Sequence, residues 1–120
     1  LKVSTIRLDS YLAHMLKSDE FVFMHIDVQG AELKVLEGAG VFIDQVKAIW
    51  IEVENVAFYE EQPLAKDIDA FMVKHGFSLL KNTSVNRKSG DCLYVKISTL
   101  DKYRMKFSGI IKKQLHKIIK

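Results

Sequence analysis

The sequence predicts an α/β fold in which parallel strands are followed by a terminal antiparallel hairpin, with helices flanking the sheet. Two runs of apolar and β-branched residues, 21–28 and 47–54, are each typical of a strand buried on both faces. A segment of helical composition separates them, and a strand–helix–strand unit of this length builds a parallel pair. No helix fits between the last two predicted strands, which are therefore expected to pair antiparallel.

The composition indicates one folded domain. The chain of 120 residues suits a single domain of ordinary size, and its apolar fraction of 48% is enough for a hydrophobic core. The net charge of +3 is small. Nucleic acid is therefore not an expected partner.

Three features bear on the compartment and the extent of the chain. One cysteine, Cys92, cannot form an internal disulfide, which favours a reducing compartment such as the cytoplasm. Its apolar neighbours predict that it packs as a small hydrophobic residue. No apolar run approaches the ~20 residues that cross a bilayer. The chain starts with Leu1 rather than methionine, so we expect a piece of a longer protein.

The first half of the chain predicts one helix before the first strand and one helix after it. Asp9 is suited to cap a helix that runs to about residue 17, and the strand 21–28 follows a polar break. Residues from Ala31 onward favour a second helix, and the glycines of the segment 38–40 end it.

The second half predicts a further helix and the hairpin. Pro63 suits the first turn of the helix, and Gly76 suits the position just after its end. The strands of the hairpin are 77–81 and 91–97, joined by a polar loop.

The residues from Ser98 to the end differ from the rest, so we divide the chain into a domain of residues 1–97 and a basic, amphipathic helical tail of residues 98–120. The tail predicts either docking of its apolar side on the sheet or on a partner, or contact with an anionic membrane surface. Its apolar side consists of Ile110, Ile111, Leu115, Ile118 and Ile119.

Four stretches of the sequence carry a resemblance to a known enzyme family. They are RLDSYL at 7–12, HIDVQGAELKVLEGA at 25–39, IWIEVE at 49–54 and HGF at 75–77. Over roughly residues 3–97 the chain resembles the FkbM-type methyltransferases. The resemblance implies the carboxyl-terminal half of a class I methyltransferase domain, with a partial Rossmann-like sheet and with S-adenosylmethionine as the cofactor.

The sequence departs from the family pattern in its central motif and lacks one expected part. His25 stands where the family has lysine, and Gln29 stands where it has glutamate. A glycine-rich loop between a first strand and a helix start is not found, since the glycines at 38–40 end a helix. The cofactor-binding residues therefore stay unassigned. We expect this chain alone to bind the cofactor weakly or not at all, with a missing amino-terminal half or a second copy as its partner.

Asp27 is the principal candidate for a catalytic residue. It lies near the carboxyl end of the first predicted strand, and ligands of open α/β sheets bind outside the carboxyl ends of the strands. The resemblance places it beside the cofactor methyl group and the acceptor. The alternative interpretation is an aspartate that caps the following helix.

His25, Glu32 and Glu54 complete the candidate catalytic set. His25 is either a general base or a residue of the core. Glu32 either serves the site or is simply stabilised by the dipole at the start of its helix. Glu54 either ends close to Asp27, since neighbouring strands lie ~4.8 Å apart, or begins a solvated loop. Two close carboxylates would raise one pKa and bind either a cation or an acceptor hydroxyl. No metal site is predicted.

The leading hypothesis is a fragment of an S-adenosylmethionine-dependent O-methyltransferase. The resemblance implies a small-molecule hydroxyl acceptor, on a sugar or a secondary metabolite. Phe58 and Tyr59, in the loop after the second strand, either line the acceptor pocket or only pack over it. The alternative hypothesis is a non-catalytic binding or assembly module that uses an open sheet edge or the basic tail.

Overall fold

A computed structural model describes residues 1–15, 17, 20–102 and 104 of the chain. Most of the predicted amphipathic tail, at 103 and 105–120, lies outside the described residues. The backbone over 97–102 is helical. No helix among the described residues is long and apolar enough to cross a membrane.

The described elements follow the predicted order. The helices are α1 (Leu8–Leu12), α2 (Glu32–Gly38) and α3 (Ala65–Lys74), with a 3-10 helix over Gly40–Asp44 between α2 and the next strand. The strands are β1 (Val22–Ile26), β2 (Val46–Glu54), β3 (Phe77–Asn82) and β4 (Ser89–Lys96).

The four strands form one mixed sheet in the order β1-β2-β4-β3. The β1 strand pairs parallel with β2, whereas β4 runs antiparallel to both β2 and β3. The predicted parallel pair and terminal hairpin are both confirmed. Because β1 and β2 run in the same direction, the residues that follow Ile26 and those at the end of β2 meet at one edge of the sheet.

The hydrophobic core lies on one face of this sheet. Ile49, Ile51 and Val53 alternate along β2 and are almost completely buried. They belong to one cluster with Leu36 of α2 and Met72 of α3. The helices therefore stabilise the sheet mainly by covering this face.

The prediction that the first strand is buried on both faces was wrong. Within β1 only Ile26 is buried, and the side chain of Phe23 is 53% exposed. The reason is the position of the strand, since β1 is an edge of the described sheet and its alternate residues point away from the core. β2, by contrast, is a central strand, as its sequence predicted.

The predicted capping role of Asp9 was also wrong. The N-cap of α1 is Arg7, and the helix ends at Leu12 rather than near residue 17. The Asp9 carboxylate instead pairs with the Arg7 guanidinium at 2.8 Å, which lowers the pKa of Asp9 through that hydrogen bond. Because the helix begins at Leu8, Asp9 lies inside its first turn, where its Oδ1 also accepts a hydrogen bond from the backbone N–H of Ser10 at 2.7 Å.

The third helix begins two residues later than Pro63 suggests. Leu64 is its N-cap, and the backbone N–H of Leu64 donates to Oδ2 of Asp67 at 2.8 Å. At its other end Gly76 has a φ of +77°, the left-handed conformation that favours glycine after a helix. The predicted helix end is confirmed.

Cys92 is buried on the helix-covered face of β4, as predicted. Its side chain is 2% exposed, and burial raises the pKa of the thiol to about 11. A thiol with this pKa is almost entirely protonated at neutral pH, so Cys92 acts as a packing residue.

Replacing Ile51 by alanine tests the location of the core. Ile51 is fully buried in the central strand, so Ile51→Ala is expected to lower the free energy of unfolding by about 2–5 kcal/mol, measured by urea denaturation. Val73, 64% exposed on α3, provides the matched control, and Val73→Ala is expected to change stability by no more than about 0.5 kcal/mol. Equal losses in the two variants would contradict this assignment of the core.

Candidate functional site

The turn between β1 and α2 carries the central sequence motif. Asp27 directly follows the last residue of β1, so it lies at the carboxyl edge of the sheet as predicted. Gln29 and Gly30 then have φ values of 55° and 103°. A left-handed conformation is ordinary for glycine but costs roughly 1 kcal/mol in a residue with a Cβ. Gln29 therefore occupies a strained position, and strained positions are common at functional sites.

Hydrogen bonds to the Glu32 carboxylate stabilise the backbone of this turn. The Glu32 side chain is only 2% exposed, and its carboxylate accepts hydrogen bonds from the backbone N–H groups of Val28 (3.2 Å) and Gly30 (3.0 and 3.2 Å). These bonds satisfy a buried charge that would otherwise be costly. The geometry therefore gives Glu32 a supporting role in the turn, while its predicted catalytic role stays a prediction.

The side-chain amide of Gln29 joins two carboxylates from neighbouring strands. Its Nε2 donates to Oδ1 of Asp27 at 2.9 Å and to Oε2 of Glu52 at 3.2 Å. Burial, and next the negative charge of Asp27, raise the pKa of Glu52 above its usual range. The two carboxylates thus form an electrostatically linked pair, with one amide between them.

Glu54, the last residue of β2, lies beside this pair but faces another partner. Its side chain is 5% exposed and accepts a hydrogen bond from Nε2 of Gln62. Burial raises the pKa of Glu54, and the charge of Glu32 adds to this effect, whereas the hydrogen bond from Gln62 opposes it. The charge of Asp27 makes a smaller contribution. Glu54 is buried, so it does not begin a solvated loop.

His25 takes no part in the contacts of the two amide side chains. It lies exposed on β1, paired in register with Trp50, and borders an apolar groove of about 470 Å³. Phe23 and Met24 line the same groove. A general-base role for His25 stays a prediction.

Sequence reasoning gave Glu52 less weight than Glu54 and missed the roles of two glutamines, Gln29 and Gln62. Glu52 is on the same face of β2 as Glu54, which alternation along a strand indicates, yet its contact with Gln29 depends on a turn conformation that no pattern specifies. Gln29 was interpreted as the loss of a family carboxylate, whereas its amide supplies a donor. Gln62 gave no sequence signal, since its partners come from a loop and a strand end.

The polar groups at this edge are suited to binding a hydroxyl and accepting its proton. Asp27 and Glu52 present carboxylate oxygen atoms that are not enclosed as those of Glu32 are. A carboxylate of raised pKa is a better proton acceptor near neutral pH than an ordinary one. Among the described residues, no group of three or more His, Cys, Asp or Glu side chains is arranged to hold a metal ion.

Restoring a carboxylate at position 29 tests the role of the amide. Gln29→Glu would place a third negative charge between Asp27 and Glu52, so the folded-state pKa of these groups rises above the unfolded value. Stability that depends on a raised carboxyl pKa is present below the unfolded pKa and is lost as the pH rises through the folded pKa. The variant is therefore expected to be less stable than the wild type at pH 7, and the deficit is expected to shrink near about pH 4.

Urea denaturation at both pH values measures this difference. Asn86→Asp makes the same change from amide to acid in an exposed loop, and it is expected to leave stability nearly unchanged at either pH. A Gln29→Glu deficit that is independent of pH would refute the electrostatic explanation.

Comparison with known proteins matches residues 1–79 to the methyltransferase FkbM domain. The match includes β1, α2, β2 and α3, and with them every residue of the candidate site. Searches of curated proteins and of solved structures found no match. The matched segment spans well over half of the 120 residues, and the chain therefore belongs to the FkbM methyltransferase family.

Proposed function

We propose that this protein is an S-adenosylmethionine-dependent O-methyltransferase that acts on a hydroxyl of a sugar or a secondary metabolite. Membership of a methyltransferase family supports the reaction class. The observation that carries the proposal is the pairing of Asp27 and Glu52 through Gln29 at the carboxyl ends of two parallel strands. Ligands of open α/β sheets bind at such an edge.

The described residues fit one part of the cofactor. Its sulfonium and ammonium groups are positively charged, and the carboxylates of Asp27 and Glu52 offer negative charge at the sheet edge. These two residues would hold the sulfonium and ammonium groups, and not the cofactor's own carboxylate. Residues 1–120 contain no glycine-rich loop that would bind the adenosine end of the cofactor. We infer that an amino-terminal half or a second copy of the chain supplies that part of the site.

Asp27 is the proposed general base. S-adenosylmethionine, when bound, supplies an electrophilic methyl group. The Asp27 carboxylate takes the proton that the acceptor hydroxyl loses when its oxygen is methylated, while Gln29 keeps the carboxylate oriented. Glu52 lies beside Asp27 and accepts a hydrogen bond from the same Gln29 amide, so it adds negative charge next to the general base. His25 and Glu54 are proposed to complete the acceptor site, with Glu32 beneath the turn.

The loop after β2 supplies the proposed apolar wall of the acceptor site. Phe58 and Tyr59 are each 56% exposed and close in sequence to Glu54. A wall of aromatic side chains beside a few placed polar groups is the usual composition of a small-molecule site.

We further infer that residues 1–97 form the catalytic part and residues 98–120 a separate basic tail. Docking of that tail on the sheet or on a partner is preferred over contact with a membrane surface. A cytoplasmic location is inferred from the buried, reduced state proposed for Cys92.

One observation favours a second candidate function, a non-catalytic assembly module. In the described sheet β1 is an edge strand that carries exposed aromatic side chains, with Phe23 within the strand 53% exposed and Phe21 just before it 59% exposed. Natural proteins usually cover or pair such edges. Assembly through β1 would complete the sheet without any chemistry, and stable dimers without cofactor binding in the full-length protein would favour this function.

Calorimetric titration with S-adenosylmethionine tests whether residues 1–120 hold a complete cofactor site. Because these residues lack a glycine-rich loop, the dissociation constant is expected to be on the order of 1 mM or weaker. Titration of the full-length gene product under the same conditions is the control. Micromolar affinity in residues 1–120 would show that another half is not required.

Methyl transfer in the full-length gene product tests the role of Asp27. We expect labelled methyl groups from S-adenosylmethionine to reach a member of a panel of sugars and hydroxylated metabolites. Asp27→Asn is expected to lower the turnover number about 10²–10⁴-fold, because it removes the general base.

Asp44→Asn is the matched control, since Asp44 is exposed and pairs with Lys96 outside the site. It is expected to leave turnover unchanged. Full activity of Asp27→Asn, or no transfer to any hydroxyl acceptor, would count against the proposal.

A further inference from the structure

One buried side chain holds together the loop that joins β2 to α3. Gln62 is 8% exposed, and its Oε1 accepts hydrogen bonds from the backbone N–H groups of Phe58 (2.7 Å) and Tyr59 (3.0 Å). Its Nε2 donates to the carboxylate of Glu54. All these partners lie within eight residues along the chain, but they come from two different elements.

The chemistry of the partners fixes the orientation of this amide. Two backbone N–H groups are donors and need an acceptor, while the carboxylate of Glu54 needs a donor. The side-chain amide of Gln62 offers both functions on one planar group, with Oε1 as the acceptor and Nε2 as the donor. Rotating the amide by 180° would place Nε2 against two donors and Oε1 against a carboxylate, which breaks every contact.

The same loop packs against the turn that carries Asp27 and Gln29. A Cβ on Gly30 would lie 3.2 Å from Cδ2 of Tyr59 and 3.5 Å from Cγ of Gln62. The absence of a side chain at Gly30 is thus what lets the Tyr59 ring approach the turn. The loop after β2 and the turn after β1 therefore form one continuous surface at the sheet edge.

We propose that Gln62 is a positioning residue of the acceptor site, which fixes the Glu54 carboxylate and the Phe58–Tyr59 segment relative to each other and to the Gly30 turn. This inference rests on the proposed function, because it assigns the Phe58–Tyr59 segment to the wall of the acceptor site. Gln62 acts through Glu54 and the loop backbone. The acceptor is expected to meet Tyr59 and the carboxylates, with Gln62 buried behind them.

The Gln62 amide has two roles. In the first, its Nε2 donates to the Glu54 carboxylate, and in the second, its Oε1 accepts from the backbone N–H groups of Phe58 and Tyr59. Two variants distinguish these roles. Gln62→Met keeps the volume of the side chain but removes both the acceptor and the donor. Gln62→Glu keeps an oxygen for the N–H groups of Phe58 and Tyr59 but replaces the donor to Glu54 by a like charge. Gln45→Met is the matched control, because Oε1 of Gln45 is buried without a hydrogen-bond partner among the described residues.

Carbon-13 NMR of the Glu54 carboxyl group tests the first role, the hydrogen bond from Gln62 to Glu54. The charges of Glu32 and Asp27 act on Glu54, whose own charge acts on its strand neighbour Glu52, and none of these residues is changed. Because the bond from Gln62 favours the ionised form, the Glu54 titration midpoint is expected to move upward in Gln62→Met. It is expected to move further upward in Gln62→Glu and to stay in place in Gln45→Met.

Amide hydrogen exchange at Phe58 and Tyr59 tests the second role, the hydrogen bonds from these two N–H groups to Oε1 of Gln62. In Gln62→Met both amides lose their acceptor, and their exchange is expected to accelerate at least about tenfold, the factor that corresponds to 1.4 kcal/mol. Gln62→Glu is expected to accelerate it less. Neither measurement needs methyl transfer, so a failure of the methylation assay leaves this test intact.

Two results would overturn the positioning role. One is a Glu54 midpoint in Gln62→Met that matches the wild type. The other is equal exchange rates at Phe58 and Tyr59 in Gln62→Met and Gln45→Met. If Gln62→Met does not fold, the Gln62→Glu titration decides, and an unshifted Glu54 midpoint there refutes the proposal.

Discussion

The site depends on hydrogen bonds that keep carboxylates stable at the edge of a sheet where water is partly excluded. A buried carboxylate without a donor is costly, so each buried acid needs N–H groups close by. Glu32 obtains them from the backbone of Val28 and Gly30, and Glu54 obtains one from Gln62. Gln29 supplies the same kind of donor to Asp27 and Glu52. The shape of the turn and of the loop follows from the need to bring these donors into place.

This constraint explains why two glutamines are central to an acidic site. A third carboxylate at position 29 would repel both neighbours, whereas an amide attracts both. Gln62 solves a related problem, because it satisfies a carboxylate with one end and two backbone N–H groups with the other. By the family resemblance alone, the amide at position 29 would be interpreted as the loss of a carboxylate from the site. The contacts show that it is a link between β1 and β2.

Most of the fold could be predicted because its signals are local. Apolar runs marked β1 and β2, and Gly76 marked the end of α3 with the left-handed conformation that it adopts. The lack of a helix between β3 and β4 fixed their antiparallel pairing. The burial of β1 was predicted wrongly because an apolar sequence does not reveal whether a strand is central or at an edge. The capping role of Asp9 was predicted wrongly because the helix begins one residue before it, at Leu8, and an N-cap residue type does not by itself fix the first helical residue.

The candidate site could be predicted only in part. The position of Asp27 followed from the general location of ligand sites in α/β sheets and from the resemblance. The contacts of Gln29 and Gln62 join residues from separate elements, and such contacts have no period or spacing in the sequence. Membership of the FkbM family gives the reaction class, and the arrangement of acids and amides gives the chain its own version of the site.

The central claim is that Asp27 and Glu52 form one electrostatically linked pair at the edge of the sheet. The most direct measurement is the titration of the Glu52 carboxyl carbon by NMR, in the wild type and in Asp27→Asn. Because burial and the Asp27 charge both raise the pKa of Glu52, its midpoint is expected above that of an ordinary glutamate and is expected to fall when Asp27 loses its charge. An ordinary midpoint for Glu52 that does not change in Asp27→Asn would contradict the claim.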